Sequence, residues 1–177
     1  MKIKAESKYD FESMKALTYA AQFKKGKPKM CMMFYMVIYA LLAALVITEM
    51  VLFGADTLLI IQFVLICLLI LIQLFTFFLL PGIRYNKMGK MKDMKNEFLF
   101  TDENIEIKSV NSNYSGQAVL QYSYIHKVYE TGKYFFIFQN RASAFIVEKS
   151  TITGGTTEDI REKLSSILGK KYKLCRY

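Results

Sequence analysis

The chain has 177 residues, a formal net charge of +9 and 53% apolar residues. Its 14 Phe and 12 Tyr exclude a disordered chain, because so much apolar surface does not stay solvated. The same apolar excess argues against a nucleic-acid partner, since basic charge in such domains comes without it.

The positive charge lies on either side of an apolar segment. Residues 1–29 hold eight lysines and three acidic side chains, and residues 82–95 hold five basic side chains and one acidic. Residues 30–81 contain no Lys or Arg and two acids, Glu49 and Asp56. Residues 96–177 are nearly balanced, with eleven basic and nine acidic side chains. The charge excess therefore flanks the apolar segment instead of covering a domain surface.

Residues 1–29 are predicted to contain a short strand and an amphipathic helix. Polar and apolar side chains alternate over Lys2–Glu6, as in a half-buried strand. Asp10 is predicted to cap a helix that runs to about Lys25 and ends at Gly26–Pro28. The apolar face of this helix consists of Phe11, Met14, Leu17 and Ala21. The helix could pack on the C-terminal domain or lie in the membrane interface.

Residues 30–81 are predicted to form a transmembrane hairpin of two helices, 30–53 and 57–80. Each stretch spans about 36 Å as a helix, and a bilayer core of about 30 Å needs roughly 20 residues. Pro81 and Gly82 are predicted to end the second helix, because Pro cannot continue a helix and Gly accepts a left-handed cap. The alternative is a pair of helices buried in a soluble core, but a domain of this size is too small to cover both.

The basic residues around the hairpin predict its orientation. They lie on the cytoplasmic side by the positive-inside rule, which places both termini of a protein of the cell (inner) membrane in the cytoplasm. Residues 82–95 then form a basic juxtamembrane linker. The basic side chains on both sides of the hairpin could bind anionic lipid head groups, or they could only set the orientation of the hairpin. They are Lys24, Lys25, Lys27, Lys29, Arg84, Lys87, Lys90, Lys92 and Lys95.

Residues 96–177 are predicted to form a β-rich domain with a C-terminal helix. The expected strands are 97–101, 105–108, 118–122, 125–130, 133–139 and 144–148, with a polar loop at 111–116. Thr156 and Asp159 resemble a capping box, Gly169 ends the helix, and residues 170–173 are a basic tail. The apolar stripe of the helix is Ile160, Leu164, Ile167 and Leu168.

The expected fold class is a membrane α-helical hairpin plus an α+β cytoplasmic domain. In that domain a pleckstrin-homology-like bent antiparallel sheet is capped by the C-terminal helix, and the strand at Ile3 completes the sheet.

The sequence shows no pattern for catalysis, a metal or a cofactor. His126 is the single histidine, and the three cysteines, Cys31, Cys67 and Cys175, have no Cys-x-x-Cys spacing. Gly154-Gly155 is not followed by the Gly-Lys-Ser/Thr of a phosphate-binding loop. We therefore expect a protein that is not an enzyme.

Two sequence patterns in the C-terminal domain are similar to those of a known family. Phe100, Ile105 and Ile107 form the first pattern; Tyr122, Ile125, Lys127, Val128 and Glu130 form the second. The aromatic strand Tyr134–Phe138 and a strand ending Val147-Glu148-Lys149 follow. In this order the chain resembles the YcxB-like proteins, small bacterial membrane proteins with a conserved C-terminal domain. The resemblance implies a membrane location and supplies no catalytic residue.

The expected function is binding by a membrane-anchored domain. The cytoplasmic domain would bind a protein partner or an anionic lipid head group, with Tyr122, Tyr124 and Lys149 as candidate partner-binding residues. A core role is the alternative for the aromatic side chains. The alternative function is an accessory or immunity-type subunit of a transporter or pore, acting through the hairpin.

Overall fold

The structure is a computed structural model that describes residues 2–23, 27–92, 94–111, 114–141 and 143–175. Its helices are α1 (Phe11–Gln22), α2 (Pro28–Phe53), α3 (Thr57–Leu74), α4 (Leu80–Lys87) and α5 (Thr157–Leu168). Its strands are β1 (Ile3–Lys8), β2 (Lys95–Phe100), β3 (Asn104–Asn111), β4 (Tyr114–Gln121), β5 (Lys127–Glu130), β6 (Tyr134–Phe138), β7 (Ala144–Glu148) and β8 (Tyr172–Leu174).

The strands form two four-stranded sheets. The first has the order β1-β2-β3-β4, and all its pairs are antiparallel. The second has the order β7-β6-β5-β8, with β8 parallel to β5. Strand β1 pairs with β2 from Ile3↔Phe100 to Lys8↔Lys95. The prediction that the N-terminal strand completes the sheet is therefore confirmed.

Helix α5 closes the core between the two sheets. Its Ile160, Leu164 and Leu168 are buried in one cluster with side chains from both sheets. The predicted capping box is present, because Thr156 and Asp159 each bond the backbone N–H of the other. Gly169 ends the helix with φ +51°, a conformation that favours glycine.

The two sheets differ in what covers their outer faces. Strands β2 and β3 show mostly alternating burial, so one face of the first sheet is exposed. In the second sheet, consecutive residues of β5 and β6 are buried. Helix α1 covers the outer face of this second sheet. Its Met14, Ala16, Leu17 and Ala20 pack with Tyr129, Phe136, Phe138 and Ile146. The uninterrupted apolar run Tyr134–Phe138 is thus explained by burial on both faces.

Helices α2 and α3 lie outside this core. Both are long and apolar enough to cross a membrane by length and composition. Within α2 only Pro28 and Val46 are buried, and α3 has no buried residue. The alternative of core helices in a soluble domain is therefore wrong for this arrangement.

The predicted end of the second hairpin helix at Pro81-Gly82 is wrong. A π-helical segment, Phe75–Leu79, follows α3, and α4 continues to Lys87, so one helical rod runs over Thr57–Lys87. Pro81 stands in the first turn of α4, where its ring is tolerated. The predicted linker 82–95 is therefore partly helical.

Three other boundaries are corrected. Helix α1 ends at Gln22, and its predicted end near Lys25 lies outside the described residues. The predicted loop 111–116 is shorter, because Ser109↔Gly116 and Asn111↔Tyr114 are paired. The predicted basic tail, residues 170–173, overlaps β8, whose short length gives little sequence signal.

Candidate functional site

Helix α1 joins the domain to the base of the hairpin. One side packs on the second sheet, as described above, and the other meets the π-helical segment and α4. The Tyr19 and Phe77 rings stack with centroids 5.0 Å apart, and the Phe11 ring meets Tyr85 edge-on at 5.8 Å. Phe77 is 7% exposed, in a helix that is otherwise largely uncovered. The domain and the rod therefore share one aromatic junction.

A hydrogen bond at this junction compensates for Pro81. In a regular helix the N–H of residue 81 would donate to the carbonyl of Phe77, and proline has no N–H. The Tyr19 hydroxyl donates to that same carbonyl oxygen at 3.2 Å. Helix α1 therefore supplies a donor at the place where the rod loses one.

We expect Tyr19→Phe to destabilise the junction by about 1 kcal/mol, because the Phe77 carbonyl loses a donor. Pro81→Ala restores a backbone N–H, so the cost of Tyr19→Phe should fall in that background. Unfolding of all four chains of this double-mutant cycle, followed by near-ultraviolet circular dichroism in detergent, measures the coupling. Additive effects would contradict the claim that the Tyr19 hydroxyl compensates for Pro81.

A buried ion cluster is centred on Glu130, the last residue of β5. The Glu130 side chain is 0% exposed and accepts from Arg161 Nη2 at 2.6 Å, Arg161 Nε at 3.0 Å and Lys149 Nζ at 2.6 Å. The Tyr172 hydroxyl donates to its second oxygen. One carboxylate thus ties together β5, the end of β7, α5 and β8.

The cluster keeps Glu130 ionised. Burial alone raises the pKa of Glu130, but the hydrogen bonds from Arg161, Lys149 and Tyr172 outweigh it and hold the pKa at about 2. Burial and the bond to Glu130 raise the pKa of the Tyr172 hydroxyl. The carboxylate is therefore a fixed anion with its charge satisfied internally, which suits a structural role better than proton transfer.

The depressed pKa predicts how stability depends on pH. Because the pKa is about 2 in the folded chain and 4.5 without the fold, the contribution is full above about pH 5 and is lost as the pH falls toward 2. We expect the free energy of unfolding to fall over that interval, and to fall less in Glu130→Gln. Urea titrations of both chains at pH 7, 4 and 3 measure the difference, and parallel curves would exclude Glu130 as the cause.

A groove of about 460 Å³ runs over the exposed outer face of the first sheet. One row across the four strands is Lys4, Leu99, Glu106 and Val119, and the next is Glu6, Glu97, Lys108 and Gln117. The Val119 side chain is 65% exposed. Glu6 stands directly opposite Glu97, a like-charge pair that costs stability. The groove therefore combines two apolar side chains, Leu99 and Val119, with three glutamates and two lysines, and Lys108 Nζ lies 3.9 Å from Glu97 Oε2.

The predicted partner-binding residues do not form one surface. Tyr122 is 4% exposed and its hydroxyl donates to the Thr101 carbonyl at 2.9 Å, so it packs in the core. Tyr124 is 74% exposed. The Lys149 ammonium is held by Glu130, and its side chain is 13% exposed. Of the three, Tyr124 alone offers most of its side chain to a partner.

The basic residues flank the ends of the hairpin. Lys27, Lys29, Arg84, Lys87 and Lys95 are exposed. The Lys92 ammonium lies 4.8 Å from the centre of the Tyr85 ring and 3.2 Å from Asn86 Oδ1. Lys24 and Lys25, like the side chain of Lys90, lie outside what the structure describes. The described members thus lie at the start of α2, in α4 and in the segment that follows α4.

No group of three or more His, Cys, Asp or Glu within the described ranges is arranged to hold a metal ion. His126, the single histidine, is exposed.

Sequence reasoning missed the groove and the Glu130 cluster. Lys149, Arg161 and Tyr172 follow Glu130 by 19, 31 and 42 residues, so no local spacing connects them. A glutamate that directly follows Val128 and Tyr129 at the end of a strand was the available signal, since a buried glutamate rarely lacks partners.

These features define a β-rich domain joined to a hairpin of two apolar helices. Residues 100–164 match the family model described as YcxB-like protein. The resemblance is therefore confirmed for this segment, which extends from the end of β2 into α5. No curated protein and no solved structure matches the chain significantly.

Proposed function

We propose that the chain is a non-enzymatic membrane protein whose cytoplasmic domain binds a protein partner on the outer face of the first sheet. The observation that carries the proposal is the difference between the two sheets. Helix α1 covers one outer face and docks it on the hairpin, while the other outer face is an open groove. A domain fixed to its anchor on one side presents the opposite face for binding.

The membrane location is supported by the two apolar helices and by the basic residues at their ends. The rod Thr57–Lys87 has 31 residues, or about 46 Å, whereas a bilayer core of about 30 Å takes roughly 20 residues. Its last turns would thus project from the bilayer, and it is there that α1 packs.

A pleckstrin-homology-like fold is supported by the order of elements. Four antiparallel strands form one sheet, three antiparallel strands and the parallel β8 form the next, and a helix closes the core. In this proposal α1–α4 are an insertion between the first two strands of that fold.

The chemistry of the groove favours a protein over a lipid head group. Its lining carries three glutamates and two lysines, so it does not attract an anionic ligand. The exposed basic residues at the hairpin are the better contact for anionic lipids. A partner segment with an apolar side chain for Val119 and Leu99 and a basic one for Glu6 and Glu97 fits the groove.

A photo-crosslinking amino acid at position 119 tests this function in intact cells. We expect one discrete protein adduct that is lost when Glu97→Lys is added, because a basic partner is then repelled. The matched control places the crosslinker at Glu158 on α5, away from the groove, where no such adduct is expected. Adducts to lipid at position 119, or equal adducts at both positions, would contradict the proposal.

The orientation is tested with an impermeant thiol reagent. Cys175 is 1% exposed, so the reagent would not reach its thiol on either side of the membrane, and introduced cysteines are needed. In a chain with Cys31 and Cys67 replaced by Ser, we expect Ala55→Cys in the hairpin turn to label in intact cells, because this turn would lie outside. Glu103→Cys, in the loop after β2, should label after permeabilisation only. The reverse pattern would invert the topology.

The alternative function acts through the hairpin as an accessory or immunity-type subunit of a transporter or pore. The observation that favours it is that α2 has two buried residues and α3 has none, with Gln62 among the exposed residues. The side chain of a glutamine such as Gln62 can form hydrogen bonds to another helix within a membrane. Replacing residues 30–74 by two unrelated spans separates the two functions: retention of the position-119 adduct supports the domain, and its loss supports the hairpin.

A further inference from the structure

The edge of the second sheet is occupied by the chain's own C-terminal segment. Strand β8 pairs with β5 from Val128↔Tyr172 to Glu130↔Leu174, and it is the one parallel strand among those described. It leaves α5 through the short turn Gly169–Lys171. A strand of this length contributes few backbone bonds, each of which adds about 1 kcal/mol net.

Two anchors hold this segment. At its start the Tyr172 hydroxyl donates to Glu130 Oε2, and at its end the Cys175 N–H donates to the Glu130 carbonyl at 2.7 Å. The Cys175 side chain is 1% exposed, in the cluster beneath α1. Between the anchors, Lys173 and Leu174 are exposed. Backbone pairing plus two end pockets is the way an extended peptide binds a sheet edge.

Strand β5 has a second partner besides β8. Strand β5 is paired on its other side with β6, from Lys127↔Phe138 to Glu130↔Phe135. If the tail left, Glu130 would keep the ion pairs with Lys149 and Arg161. The acceptor for a phenol hydroxyl would thus remain in place, with its charge still compensated.

We propose that the β5 edge is a strand-addition site for an extended peptide that carries a tyrosine three residues before a small apolar residue, and that residues 172–175 occupy this site in cis. The tyrosine donates to Glu130, the small residue fills the place of Cys175, and the two residues between face solvent. This site is separate from the groove, so it goes beyond the proposed function. The tail competes with such a peptide. The apparent affinity for the peptide is therefore the intrinsic affinity multiplied by the fraction of molecules in which the edge is open.

The test uses the full chain in detergent and a fluorescent peptide that copies residues 170–175 with Ala in place of Cys175. Tyr172→Ala in the chain removes one tail anchor, and we expect it to bind the peptide at least about tenfold more tightly than the unmodified chain. A peptide with Phe in place of its tyrosine should lose about tenfold, since the bond to a charged acceptor is lost. Val119→Arg, added to the Tyr172→Ala chain as a groove control, should leave peptide affinity unchanged.

Two results would overturn the proposal. One is the absence of peptide binding to Tyr172→Ala and to Cys175→Asp, a second variant that expels the tail, while near-ultraviolet circular dichroism shows either chain folded. The other is amide hydrogen exchange at Cys175 in the unmodified chain as slow as in β6, because the tail would then open only with global unfolding. Neither result affects crosslinking from position 119, so the two proposals fail separately.

Discussion

Glu130→Gln is expected to lower the free energy of unfolding by about 3 kcal/mol at pH 7. The substitution removes the anion but leaves Arg161 and Lys149 directed at its position, and a buried cation without its partner is costly. The Lys149 side chain is only 13% exposed, so water cannot fully replace the carboxylate. Urea unfolding in detergent, followed by near-ultraviolet circular dichroism of the tyrosines, measures the change.

Glu158→Gln is the matched control for this result. Glu158 also contacts Arg161, at 3.2 Å, but its side chain is 66% exposed. Exposed ion pairs contribute between 0 and about 1 kcal/mol, so we expect a change below about 0.5 kcal/mol. Equal effects of the two substitutions would show that Arg161, rather than the buried carboxylate, organises this part of the domain.

The second large effect is expected for Ile3→Ala, at about 3 kcal/mol. Ile3 is 0% exposed in the main core cluster, and truncation of a buried Ile leaves a cavity there. Lys4→Ala, on the exposed side of the same strand, should change stability by less than about 0.5 kcal/mol. A similar cost for both would indicate that β1 contributes through backbone pairing alone.

Gly155 supplies an independent check on the packing of β1. A Cβ added at Gly155 would lie 2.5 Å from Ile3 Cδ1, so Gly155→Ala should be strongly destabilising in the unmodified chain. With Ile3→Ala the space is available, and the cost of Gly155→Ala should decrease. Thermal unfolding of the four chains measures this coupling, and additivity would contradict the contact.

The sequence predicted the elements whose signals are local. The α5 capping box has its two members three residues apart, and β1 shows alternation within five residues. The hairpin helices follow from composition alone. The structure confirms the predicted mixture of helices and sheets and has two candidate spans at nearly the predicted positions.

The features that escaped prediction depend on contacts between distant segments. Pro81 was expected to end a helix, but the π-helical segment and the Tyr19 hydroxyl accommodate it. Tyr122 and Tyr124 are two residues apart in similar surroundings along the chain, yet one is in the core and the other exposed. Which of the two tyrosines is buried is decided only by the packing of the two sheets with α5.

The position of the hairpin between β1 and β2 has a consequence for biosynthesis. Ile3 leaves the ribosome long before Phe100, its partner in the sheet, and at 5–20 residues per second the delay is roughly 5–20 s. The first strand must therefore wait while α2 and α3 are made. If these helices enter the bilayer as proposed, the domain can close only after insertion, and a folded domain would mark a chain whose hairpin has already reached the membrane.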